Sequence, residues 1–145
     1  MPLMWKHING WDKCRDCWLA YEKGLQHENS LRCYKVGIPI SSLNVPVEVF
    51  IDEIKKKGYV AKYGYFPFPV SLVSRGVIIL YFESKEKMIS AVNELRNFVK
   101  EPNIREKLFF NTFVNVDWMG GINYRRGCPE YDKKFGDWRK WGNPH

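Results

Sequence analysis

Six consecutive apolar residues, Val77-Ile78-Ile79-Leu80-Tyr81-Phe82, stand between Arg75-Gly76 and Ser84. A run of this length, rich in β-branched and aromatic types, predicts a buried strand over Gly76 to Glu83. It is far too short to cross a membrane. Ser84 has the side-chain oxygen that caps a helix. Behind it, Met88, Ala91, Val92 and Leu95 recur at helical spacing, extended by Val99 and ended by Pro102. A strand that feeds at once into an amphipathic helix confines the chain to folds that mix sheet and helix.

The same alternation extends on both sides. Leu31 to Ile40 reads as a strand that stops at Pro39. Ser41, Ser42 and Asn44 offer cap oxygens, and Pro46 suits a first helical turn. Val47, Phe50, Ile51 and Ile54 then form an apolar helical stripe, closed by Lys55, Lys56, Lys57 and Gly58. Tyr59 to Phe68 reads as a strand ended by Pro67 and Pro69, Val70 to Ser74 as a loop, and Leu108 to Val116 as a last strand. The order is β-α-β-β-α-β. The expected fold is α+β and ferredoxin-like, an antiparallel sheet with two helices on one face. Tryptophans occur at 5, 11, 18, 118, 138 and 141, all outside this middle stretch. The chain therefore divides into a Trp-rich N-terminal extension over 1–30, a central domain over 31–117 and a basic aromatic C-terminal extension over 118–145.

Two local sequences in the central domain resemble the RNA-recognition-motif family. Its third strand carries an octamer of the form Lys/Arg-Gly-aromatic-Gly/Ala-aromatic-Val-x-aromatic. Arg75, Gly76, Leu80 and Phe82 fit it. Cys33-Tyr34-Lys35-Val36-Gly37-Ile38-Pro39 resembles the family's shorter hexamer with its trailing proline. The stretch from Arg75 to Ser84 also resembles a strand of the plant gene-silencing XS domain, a variant of the same fold. The resemblance implies RNA as the partner, single-stranded or structured. The octamer's two base-stacking rings are replaced by Val77 and Ile79, which have no π-face. If Ile78, Leu80 and Phe82 face the helices, then Val77, Ile79 and Tyr81 form an apolar patch on the opposite face. Such a patch is covered by the chain's own ends or serves a protein partner, and that protein-interaction module is the alternative function. Tyr34 supplies a ring for RNA if it points outward.

The formal net charge of +7 favours a polyanionic partner. Contacts to nucleic acid are expected from Arg75, Tyr81, Lys56 and Lys62, and from a tail in which Arg125, Arg126, Arg139 and Lys140 interleave with rings such as Trp138. The Cys14-x-x-Cys17 pair, followed by His27 and Cys33, fits a tetrahedral zinc set, with Cys128 or His7 able to replace either of the last two. There is no Gly-rich phosphate loop, GxSxG or HExxH, so no catalytic residue is assigned. A metal-dependent nuclease using Asp117 or Glu83 is the third reading. The opening segment has no continuous apolar stretch of the secretory kind, so an intracellular protein, cytoplasmic or nuclear and without a membrane partner, is expected.

Overall fold

The computed structural model describes residues 4–10 and 14–142. Trp11, Asp12 and His145 lie outside them. Among the described residues, six strands form one sheet: β1 (Lys6–Ile8), β2 (Tyr34–Pro39), β3 (Val60–Tyr65), β4 (Gly76–Phe82), β5 (Asp117–Met119) and β6 (Ile122–Arg126). Their order is β1-β3-β4-β2-β6-β5, and every neighbouring pair is antiparallel. The helices are α1 (Cys14–Glu22), α2 (Glu28–Arg32), α3 (Val47–Lys57), α4 (Lys85–Leu95), α5 (Ile104–Phe113) and α6 (Pro129–Phe135). The protein is thus α+β, and among the described residues no helix is long and apolar enough to cross a membrane.

Most helical signals in the middle of the chain act as the sequence indicates, but Ser41, Ser42 and Asn44 do not cap α3, whose N-cap is Pro46 with no side-chain bond, and α4 ends at Leu95, well before Pro102. α3 begins after Pro46 and ends at Gly58, whose φ of 73° is open to glycine and whose N–H reaches the carbonyls of Ile54 and Lys55. Ser84 Oγ accepts the Lys87 N–H at 3.2 Å and caps α4. Phe50, Ile51 and Ile54 of α3 and Met88, Ala91, Val92 and Leu95 of α4 join Val36, Ile38, Ile78, Leu80 and Phe82 in the main core. Strand alternation delivers Val77, Ile79 and Tyr81 to the other face, as the sequence predicts.

Several expectations fail. Leu108 to Val116 is not a strand; most of it lies in α5. Asn103 Oδ1 accepts the Glu106 N–H at 2.9 Å and starts the helix. The strand beside β2 is instead β6, inside the segment read as a C-terminal extension. The N-terminal extension also contributes to the sheet, because β1 pairs with β3. Leu31 belongs to α2 rather than to the first strand.

The face carrying Val77 is covered. Phe110, Val116 and Phe66 pack with Val77, and Trp5, Ile79, Phe109 and Trp118 border them. A further cluster joins the two ends of the chain, with Cys17, Tyr131, Trp138 and Trp141 buried together and Tyr21, Leu31 and Phe135 around them.

Candidate binding pocket and cysteine cluster

The covered face is not filled. In register across the sheet, Lys62 lies beside Ile79, Ile79 beside Gly37, and Gly37 beside Asn123. Two residues along each strand, on the same face, Tyr81, Lys35 and Arg125 are neighbours. These residues line the floor of a cavity of about 320 Å³. Its walls come from Trp5, Trp18 and Cys14, from Phe66, from Phe110, Val114 and Val116, and from Cys128, Pro129 and Glu130. That size lies at the lower end of small-ligand sites.

Gly37 shapes the floor. A Cβ there would collide with the Asn123 side chain, so only glycine lets Asn123 lie across β2. Asn123 is 4% exposed, and its Nδ2 has no partner among the described residues. An unsatisfied buried amide of this kind is costly and favours a ligand acceptor.

Two lysines bring positive charge to the walls. Lys62 Nζ stands 4.3 Å from the Trp5 ring centre and 5.9 Å from that of Tyr81. Burial and the nearby Lys35 cation both pull its pKa below the ordinary value. Lys35 Nζ is 2.8 Å from Cys128 Sγ and 5.5 Å from the Tyr81 ring centre. Burial pulls Lys35 down, but the charges of Cys128 and Cys33 outweigh it and hold the ammonium above its usual range. Burial pushes the Tyr81 hydroxyl up.

All four cysteines gather at one end of this pocket. Cys14 and Cys17 are three residues apart and so share a face of α1. Cys33 closes α2 and Cys128 opens α6. The Gly127 N–H donates to the Cys33 carbonyl at 2.8 Å, which ties the last two together. The four thiols line a small cavity of about 10 Å³ with Lys35, Asn29, Ser30 and Gly127. None is in a disulfide. Burial pushes the Cys17 thiol up to about 11 and the Cys33 thiol up to about 12.

The expected ligand His27 is not part of this group. Its Nδ1 accepts the Asn29 N–H at 3.1 Å and caps α2. Cys128 takes the fourth place. Among the described residues, no three His, Cys, Asp or Glu side chains already stand in a coordinating arrangement.

Several expected nucleic-acid contacts are corrected. Arg125 is 2% exposed and spends its guanidinium on Asp132, at 2.7 and 3.1 Å, and on the carbonyls of Val114, Gly127 and Cys128. Arg126 holds the carbonyls of Trp138, Trp141 and Gly142. Trp138 is buried, with its indole N–H on the Asn115 carbonyl. Arg139 is exposed but paired with Asp117 and Asp137. Tyr34 packs toward the main core, and alternation gives its expected place in the pocket to Lys35. Arg75, Lys56 and Lys140 are exposed, while Lys62 and Tyr81 line the pocket. Val77 and Tyr81 are buried and Ile79 half-buried, so none offers a bare surface to a protein. Asp117, a candidate nuclease ligand, is engaged by Arg139.

Sequence reasoning missed Asn123 and Lys35. The glycine in the middle of β2 was the available signal, since a strand glycine marks close approach of another group. Comparison of the chain with family models, curated proteins and solved structures found no match.

Proposed function

We propose that the chain is a non-catalytic RNA-binding module that takes one unstacked nucleotide into the pocket on its sheet. The scaffold is read as ferredoxin-like and related to the RNA-recognition motif. Strands β2, β3, β4 and β6 with α3 and α4 supply the β-α-β-β-α-β unit, and α5 is inserted before the last strand. Support for this comes from the strand order β3-β4-β2-β6 and from the shared core of α3 and α4.

The observation that carries the functional reading is the composition of the cavity. Trp5, Trp18 and Tyr81 offer flat rings, Lys35 and Lys62 offer charge for a phosphate, and the Asn123 amide offers an unspent donor for a base edge. A single strand suits this better than a duplex, because only unstacked bases enter such a site. The remainder of the strand would be held by exposed cations such as Arg75 and Lys140 through phosphate contacts that carry no sequence information.

Fluorescence anisotropy with short single-stranded RNA and with matched duplex RNA, across a salt series, tests the reading. Single strands bind and duplexes bind less. Trp5→Ala weakens binding by ~1–3 kcal/mol, the cost of one lost stacking partner. Lys140→Ala lowers affinity equally for all sequences and flattens the salt slope by about one unit. Equal binding of wild type and Trp5→Ala would refute occupancy of the pocket.

A protein-interaction reading has one specific support. Ile104, Leu108 and Phe113 of α5 are exposed at 74%, 57% and 66%, while Phe110 on the same helix is buried. Several large apolar residues exposed on the side of a helix away from its core contact mark a surface that suits a partner. Failure of all RNAs to bind at low salt would move this reading to first place, with α5 rather than the sheet as the contact.

A further inference from the structure

We infer that Cys14, Cys17, Cys33 and Cys128 form a four-thiolate site for a thiophilic divalent cation of the zinc type. The site is independent of the RNA reading.

Convergence is the first argument. The four cysteines lie at three distant places in the chain, yet they line one cavity of about 10 Å³. That volume matches a single water-sized sphere, so it suits one ion and no organic ligand. A donor set of four sulfurs favours tetrahedral zinc over magnesium or calcium, which prefer oxygen.

The anchoring of the cysteines is the second argument. Cys14 and Cys17 present one helical face, while Cys33 and Cys128 sit at the ends of β2 and β6, joined by the Gly127–Cys33 hydrogen bond. Cys14 and Cys17 stand on α1, and Cys33 and Cys128 stand at element ends; since no three of these side chains already stand in a coordinating arrangement, binding has to draw the sulfurs inward. Binding replaces the thiol protons with the metal and leaves a centre of net charge −2. The Lys35 ammonium, 2.8 Å from Cys128 Sγ, offsets one unit of it. Lys35 thus acts as a positioning residue of the kind that tunes metal sites from outside the ligand set. Because Cys14, Lys35 and Cys128 line the larger pocket too, the ion would also fix that wall.

The test uses the full chain, reduced and stripped of metal with a chelator, then titrated anaerobically with Co²⁺. The expected result is one equivalent bound, with tetrahedral d–d bands and a sulfur-to-cobalt charge-transfer intensity of four thiolates, all bleached by Zn²⁺. Cys128→Ser reduces the charge-transfer intensity to that of three thiolates or abolishes binding. His27→Ala leaves the spectrum unchanged. Lys35→Met lowers affinity ~10–100-fold without changing the sulfur count. Should Cys128→Ser not fold, Cys14→Ser, on α1, serves in its place, and the wild-type intensity alone counts the sulfurs. No tetrahedral spectrum at one equivalent, a two-sulfur spectrum, or loss of a ligand in His27→Ala overturns the assignment.

Discussion

Arg125 shows how a residue of surface type becomes an internal strut. Its charge is met by Asp132 and by four carbonyls, those of Val114, Arg126, Gly127 and Cys128. Removing one partner of a buried pair leaves the other uncompensated, which costs ~3–5 kcal/mol. Arg125→Ala should lower the unfolding free energy by about that amount, as read by urea denaturation. Arg139→Ala, at an exposed pair, should cost below ~1 kcal/mol. A different kind of residue pairing gives a pH effect. The Tyr59 hydroxyl donates to Glu94 at 2.8 Å and Lys57 to the same oxygen at 3.1 Å. These bonds hold the Glu94 carboxyl below its ordinary value of 4.5. A depressed folded pKa gives stability that is present above the unfolded value and lost as pH falls through the folded one. Stability measured through the acid range should therefore drop below pH 4.5, and Glu94→Gln should make that drop shallower. Unchanged acid sensitivity in Glu94→Gln would refute the contribution.

At the scale of elements, legibility followed periodicity. β4, α3 and α4 were readable because their apolar residues recur at the spacing of their structure and their ends carry Ser84, Pro46 and Gly58. α5 was not, because Phe109, Phe110, Phe113 and Val114 are aromatic and β-branched types that favour strands by composition. The competing signal was local: Asn103 followed three residues later by Glu106, a helix start. The same sequence gives a helix because Phe110 has a sheet to pack on, and tertiary contacts override propensity. β6 was missed for the opposite reason. Its Arg125 and Arg126 look solvated, and nothing in a lone sequence reveals that Asp132 and the carbonyls of the tail receive them. The pocket was half legible: alternation placed Val77, Ile79 and Tyr81 on its floor, but its roof depends on the misread helix. Phe110→Ala should cost ~3–5 kcal/mol. Asn103→Ala should cost ~1 kcal/mol through loss of the cap. Leu108→Ala, exposed on the same helix, should stay within about 0.5 kcal/mol, so thermal denaturation of the three variants separates cover from surface.

Across the whole molecule, the two chain ends close over each other and over the sheet. Tyr131 is fully buried, its hydroxyl donating to the Cys17 carbonyl, and Lys134 Nζ lies 4.0 Å from the Tyr21 ring centre. The tryptophans therefore report on the extensions and the backbone signal chiefly on sheet and helices. A single cooperative unit predicts that tryptophan fluorescence and far-ultraviolet circular dichroism follow the same urea transition. Two separated midpoints would mean that the extensions detach first. The place of β6 has a further consequence for how the chain is handled. β2 lies between β4 and β6, so cutting after residue 117 strips one side of it and leaves the backbone groups of Tyr34 to Gly37 that face β6 unpaired. An uncovered edge of this kind templates pairing with another molecule. The truncated protein should therefore self-associate through strand-to-strand addition, whereas the intact chain carries its own plug.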